Sequence, residues 1–258
     1  MSYTLLALLL ATGFFVGMLL LLELGHRLGN HFEEIDPDGA HTGTGPVEGA
    51  VFALLGLLVA FTFSGAAQRF DARRHLIVEE ANAIGTAYLR LDALPAEAQP
   101  ALRELFRRYL DSRLEVYRKL PDIDAAREAL ARSSQLQGEI WSRAVAGCDA
   151  AGPRPCAILL LPALNAMIDI TTTRTMAALM HPPAVIFGLL FILGLGCAVL
   201  AGYSMAGGTR RKWPHMIAFA AVTAITVYVV LDLEYPRLGL IRVDAHDQVL
   251  VELRQTMR

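Results

Sequence analysis

The 258-residue chain is 54% hydrophobic, carries 23 basic and 25 acidic residues for a formal net charge of -2, and has a mean hydropathy of +0.42. That balance excludes nucleic-acid binding through a bulk basic surface. Ionisable residues crowd into the middle and the ends and leave long stretches with none, which is the distribution of a membrane protein.

The first predicted span runs from Thr4 to Leu22, without a charge and rich in leucine. Lipid offers the backbone no hydrogen-bond partners, so such a run must be helical, and about twenty residues match a hydrocarbon core of roughly 30 Å. A cleaved signal peptide fits poorly: no basic residue precedes the run, and Glu23, His26 and Arg27 follow it in place of a small-residue cleavage site. The loop that follows is acidic, with Glu33, Glu34, Asp36 and Asp38 against Arg27.

The second span covers Gly49 to Ala67 and ends at Gln68, Arg69, Asp71, Arg73 and Arg74. Polar sequence then continues without a Gly/Pro break to Leu91, so this helix should extend well past the lipid before Leu94-Pro95 stops it. A second extramembrane helix is predicted from Glu97 to Leu120, where Leu102, Leu105, Phe106, Tyr109, Leu110, Leu114 and Tyr117 recur at three- and four-residue spacing with arginines on the other face. After Pro121, Asp122 or Asp124 can cap a third helix running to Val145. Each of these helices has one apolar stripe that needs a partner.

Three cysteines are present, Cys148, Cys156 and Cys197, in no metal-site array. Cys148 and Cys156 bracket a Gly/Pro-rich turn and would pair in an oxidising compartment; in a cytosolic loop they read as free thiols. Cys156 to Met180 is long and apolar but contains Asn165, Asp169, Thr172, Thr173 and Arg174. Because such groups are expensive in mid-membrane, it reads as a partly buried amphipathic helix outside the lipid, with a fifth span as the alternative. His181-Pro182-Pro183 breaks it. The third span follows from Pro183 to Tyr203 and the fourth from Met216 to Leu231.

The expected fold is therefore all-α, an integral membrane protein with four transmembrane helices and an extended helical cytoplasmic domain between spans two and three. Its divisions are residues 1–67, 68–181, 182–231 and a C-terminal tail, 232–258. The region between spans two and three holds 15 of the 23 basic residues, which places it and both termini in the cytoplasm by the positive-inside rule. Arg210, Arg211 and Lys212, in the loop this topology exports, argue the other way.

Span two carries the most functional information. At one hundred degrees per residue, Gly49, Ala53, Gly56, Ala60, Ser64 and Ala67 fall on one face, with Phe52 and Phe63 at its margins, and the same register brings Asp71 and Arg74 onto it. Small residues in a membrane helix most often permit close helix contact; the other reading is a pore lining with Phe52 or Phe63 as a hydrophobic constriction and Arg74 at the cytoplasmic mouth. Gly13 and Gly17 in span one, and Gly194, Ala198 and Gly202 in span three, also have small-residue spacing suited to a packed bundle. Arg73, Glu80, Asn82, Asn165 and Asp169 form a candidate polar network, with Asp169 placed to pair with an arginine such as Arg73. A network that fixes helix register is favoured over an ion or substrate site. No HExxH, phosphate loop, GxSxG or Cys-His pairing is present and the seven histidines are scattered, so neither an enzyme, a metal nor a cofactor is expected.

The stretch Gly45 to Arg90, above all Glu79-Glu80-Ala81-Asn82-Ala83-Ile84-Gly85-Thr86-Ala87-Tyr88-Leu89-Arg90, resembles a bacterial family of bestrophin-like membrane proteins. Phe61-Thr62-Phe63-Ser64-Gly65-Ala66-Ala67, Arg69-Phe70-Asp71-Ala72-Arg73-Arg74 and Asp232-Leu233-Glu234-Tyr235-Pro236-Arg237-Leu238-Gly239 carry the same resemblance. It implies four spans with both termini inside and a pentamer whose second spans line an anion-selective pore. The acidic calcium clasp of many bestrophins has no counterpart in the exported stretch Glu33 to Asp38. The leading expectation is a homo-oligomeric, anion-conducting channel of the bacterial inner membrane, whose partners are the lipid bilayer, small inorganic ions and further copies of itself, with no nucleic acid. The alternative is a membrane scaffold or sensor whose cytoplasmic helices bind a protein through the stripe around Phe106, Tyr109 and Tyr117.

Overall fold

A computed structural model describes residues 3–35, 45–150, 156–207 and 212–257. Asp36, Asp38, Arg210 and Arg211, which entered the topology argument, lie outside the described residues. The described residues are helical: α1 (Tyr3–Ile35), α2 (Gly45–Leu89), α3 (Gln99–Arg118), α4 (Ile123–Ala150), α5 (Cys156–Leu179), α6 (Ala184–Ser204), α7 (Trp213–Glu234) and α8 (Gln248–Thr256), with single 3-10 turns at Arg90–Ala93 and Asp244–Asp247. Four helical stretches, Tyr3–Ile35, Gly45–Ala93, Cys156–Ser204 and Trp213–Glu234, are long and apolar enough to cross a membrane. Within the third, the break at His181 to Pro183 separates α5 from α6.

The chain divides into two compact units, residues 1–68 with 181–235 and residues 69–180 with 236–258. In the first, α1 lies against α6 and α7 around a core of Phe14, Met18, Leu22, Cys197, Ala198, Ala220 and Val227. The α1–α6 crossing is a backbone contact. A Cβ on Gly25 would sit 2.0 Å from the Val199 carbonyl oxygen, and one on Gly202 would sit 2.0 Å from that of Leu22. Gly194 makes room for the Phe14 ring, so Gly194, Ala198 and Gly202 do pack as their spacing suggests, while a Cβ added at Gly13 would meet nothing within 4 Å. Helix α1 continues past Leu22 because Gly25 and Gly29 prolong this crossing.

In the second unit α3 and α4 pair, α5 lies on α4 and on the first 3-10 turn, and α8 lies on α3. The α3 stripe is consumed here: Leu102, Leu105, Phe106, Tyr109 and Leu110 are each at most 3% exposed, against Ile77, Ile84, Tyr88, Leu136 and Ile140. Asp122 caps α4, its Oδ1 accepting from the Ala125 N–H at 3.0 Å. Segment 156–180 is apolar because Leu160, Leu164 and Met167 belong to this core; it is not a fifth span. The C-terminal segment is likewise part of the unit, with Val243, Leu250 and Met257 buried and Arg254 holding Asp111 of α3 through two bonds of 2.8 and 3.1 Å.

One expectation is overturned. Cys148 and Cys156, read as free thiols, are joined by a disulfide, because α4 and α5 turn back on each other and bring their Cα atoms to 5.6 Å. Cys197 is free and buried.

Candidate functional site

The apolar part of α2 is amphipathic in an unusual sense: both faces are greasy, but only one is packed. Val51, Phe52, Leu55, Leu58 and Val59 turn toward the first unit's core, and Ala66 is fully buried. Gly49, Ala53, Gly56, Ala60, Phe63 and Ser64 are exposed, and Ala67 is half-buried. Added Cβ atoms on Gly49 and Gly56 would meet nothing within 4 Å. Among the described residues, the small-residue face is therefore not used for packing. Phe52 sits on the packed side, edge-on to Phe219 of α7 with ring centres 6.1 Å apart.

The second unit holds a buried charge cluster centred on Glu80 of α2. Its Oε1 accepts from Arg113 Nε of α3 at 2.5 Å, and its Oε2 accepts from Arg174 Nη1 of α5. Arg113 donates on to the Tyr117 hydroxyl at 2.6 Å. The Tyr117 ring is faced by three guanidiniums, those of Arg174 at 4.1 Å, Arg237 at 4.3 Å and Arg113 at 5.4 Å. Arg237 grips Asp247 through bonds of 2.7 and 2.9 Å, and Arg174 lies 3.6 Å from the same carboxylate. One layer deeper, Tyr109, Gln137 and Thr171 close a triangle of 3.0 Å hydrogen bonds. Four segments of the chain thus meet on one set of charges.

Electrostatics make this set permanent at physiological pH. Burial alone would lower the Arg113 guanidinium, but Tyr117 and Glu80 outweigh it and raise it further above the ordinary arginine value. The same contest, won by Asp247, raises Arg237. Burial pushes the Tyr109 phenol up to about 12. Acceptor-only carboxylates facing always-charged guanidiniums supply neither a nucleophile nor a proton in transit. The arrangement locks helix register.

Of the predicted network, Glu80 is at its centre, while Asn82, Asn165 and Asp169 are exposed. Arg73 donates to the carbonyls of Ala177 and Met180 at 3.0 and 2.9 Å, capping the end of α5 in place of meeting Asp169. Arg74 binds His246 at 2.9 Å and Asp71 at 3.0 Å. Sequence reasoning missed Arg113, Arg174, Arg237 and Asp247. Arg113 had a legible signal, since it falls four residues from both Tyr109 and Tyr117 and so lies in the apolar stripe. Among the described residues no group of three His, Cys, Asp or Glu is placed to hold a metal ion.

A family model described as a bestrophin-like domain matches residues 6–247. The chain belongs to the bestrophin-like family. Its fold is that of solved bacterial relatives. A point variant of a bestrophin homologue from Klebsiella pneumoniae superimposes with a TM-score of 0.71 at 16% identity, covering 94% of this chain and 98% of that one. Two further variants of that homologue give 0.65 and 0.64 at 15% identity, each covering 93% of this chain and 98% and 99% of theirs. No protein of curated function matches the chain in sequence. The bestrophin-like chain is thus an all-α, multi-pass membrane protein. Its four apolar helical stretches are long enough to cross a membrane, with a helical cytoplasmic domain between spans two and three.

Proposed function

We propose that this bestrophin-like chain is one subunit of a homo-oligomeric ion channel whose axis is lined by the α2 face bearing Gly49, Ala53, Gly56, Ala60 and Ser64. The observation that carries the reading is that this face is exposed while the opposite face, at Leu55 and Ala66, is 6% and 0% exposed. A helix with one packed side and one bare side in the single chain needs something outside the chain on the bare side. Lipid suits Leu54, Leu57 and Phe61, which are also exposed. A row of glycine, alanine and serine suits a narrow axis shared by copies, where small side chains leave room for an ion and Phe63 forms the constriction. Phe52 is left out of the lining because it packs on Phe219.

The pore has no chemical step; it lowers the cost of taking an ion out of water. Arg74 stands at the cytoplasmic end of the same helix face, and the prevalence of arginine in the cytoplasmic domain favours anions there. Five copies is the number the family resemblance implies. The scaffold reading loses its docking stripe, since Phe106 and Tyr109 are 0% exposed within their own unit.

The test is planar-bilayer recording of purified protein with cross-linking of the same sample. The expected result is discrete current steps, a reversal potential displaced toward chloride in a salt gradient, and cross-linked species ending at five. Absence of current above an empty bilayer overturns the channel; a cation-directed reversal potential overturns the anion preference alone.

A further inference from the structure

The disulfide between Cys148 and Cys156 stands in a domain that the arginine distribution places in the cytoplasm, a compartment kept reducing, where protein disulfides are characteristically transient and sensing. We propose that Cys148 and Cys156 are a reversible thiol–disulfide exchange site that controls how the first turn of α5 is held on the last turns of α4. Two features of the second unit carry this. The two cysteines occupy helix ends, Cys148 two residues before the end of α4 and Cys156 at the first position of α5, where helices open most easily. The pair closes a separation of only 8 residues, so reduction releases a local constraint.

The fold does not depend on the bond. Leu160, Leu164 and Met167 are 0% exposed in the core, and α5 is held independently along its length. Arg90 donates to the Leu159 carbonyl at 2.6 Å, Arg174 binds Glu80, and Arg73 caps Ala177 and Met180. Reduction therefore loosens one end of α5 while its far end stays bonded to α2. Redox state at the cysteines thereby reaches the helix that carries Arg174.

The chemistry is exchange with a cytoplasmic protein dithiol. A thiolate of the dithiol attacks Sγ of Cys148, the more exposed of the two at 5% against 1%; Cys156 leaves as a thiolate and takes up a proton. The second thiol of the partner then attacks the mixed disulfide and releases Cys148. One disulfide is reduced and one is formed, with no other oxidant or reductant.

The test uses the full-length protein in detergent, equilibrated against mixtures of reduced and oxidised dithiothreitol. Alkylation after denaturation counts free thiols, and hydrogen exchange follows residues 156–163. The expected result is one reactive thiol, Cys197, in the oxidised form and three in the reduced form, interconverting at intermediate ratios. Amide exchange at the start of α5 should rise by roughly tenfold on reduction, and Cys148→Ser and Cys156→Ser should hold it at the reduced value at every ratio. The proposal is overturned if the bond never forms, if it survives every mixture, or if both states exchange at one rate. It is also overturned if a membrane-impermeant maleimide, added to intact cells after a mild reductant, labels the pair, since the bond then stands in an exported domain as a permanent staple.

Discussion

Glu80 on α2 and Arg113 on α3 form an ion pair of 2.5 Å with 0% and 1% of their side chains exposed, and the second oxygen of that carboxylate is taken by Arg174 of α5. Two desolvated guanidiniums on one carboxylate are tolerable only together. Removing the carboxylate leaves Arg113 buried without a counter-charge and Arg174 with only the 3.6 Å contact to Asp247, which costs about 3–5 kcal/mol. Glu80→Gln should therefore lower the thermal midpoint sharply. Glu115→Gln, which breaks exposed pairs with Lys119 and Arg132, should cost under ~1 kcal/mol. A melting curve of each variant in detergent checks the contrast. Arg113→Met should be milder than Glu80→Gln, because Arg174 still neutralises the carboxylate and Arg113 Nη1 is a buried donor with no partner to lose.

The α1–α6 crossing gives a second contrast, this time steric. At Gly202 an added methyl lands 2.0 Å from a backbone oxygen that cannot swing away, so Gly202→Ala must separate two helices and should cost about 1–3 kcal/mol or more. Gly13→Ala, with open space around it, should be neutral or slightly stabilising. Folded yield and the aggregation temperature of the two variants measure the difference.

Alkaline stability depends on Tyr109. Its phenol is raised by burial to about 12 from an ordinary value near 10. A raised folded-state pKa means that the folded form holds its proton more tightly than the unfolded form. The resulting stability is complete below about pH 10 and is lost as pH climbs toward 12. The loss is of order 3 kcal/mol at most, and Tyr117, also raised by burial, adds in the same direction. Circular dichroism from pH 9 to 12 should show a transition that flattens in Tyr109→Phe. The variant itself should be destabilised by about 1 kcal/mol at neutral pH through two lost hydrogen bonds.

Accessibility along α2 tests the lining residue by residue. Single cysteines at Gly56, Ala60 and Ser64 in a background lacking native cysteines should react with small charged thiosulfonates and block current, while cysteines at Leu55 and Ala66 should stay unmodified on the same timescale. Equal labelling of the two sets would remove α2 from the pore. Gly56→Trp should abolish current and leave the oligomer intact on a sizing column.

The element boundaries were legible because the signals are local: apolar length for the spans, Leu94-Pro95 and Pro121 for the breaks, and Asp122 for a cap. The face of α2 was legible by the same periodicity, although periodicity alone could not say whether that face was covered. Arg113 was hidden by its own charge, since an arginine inside an apolar stripe is ordinarily assigned to the solvated side. Its burial depends on Glu80, more than thirty residues away in the chain. The cysteine pair was misread for a related reason, because compartment argued for thiols and only the turn-back of α5 on α4 brings the two sulfurs together.

By itself the sequence determined that this is an all-α membrane protein with a long second helix, since hydrocarbon leaves the backbone no alternative and uncharged length is visible in one dimension. It also determined the family, through the run Glu79 to Arg90 and its companions. Tertiary structure alone decided which side of α2 is bare, which carboxylate gathers the arginines, and that Cys148 meets Cys156. Those outcomes rest on contacts between separate helices, and burial and charge pairing are properties of the contact, not of either residue alone.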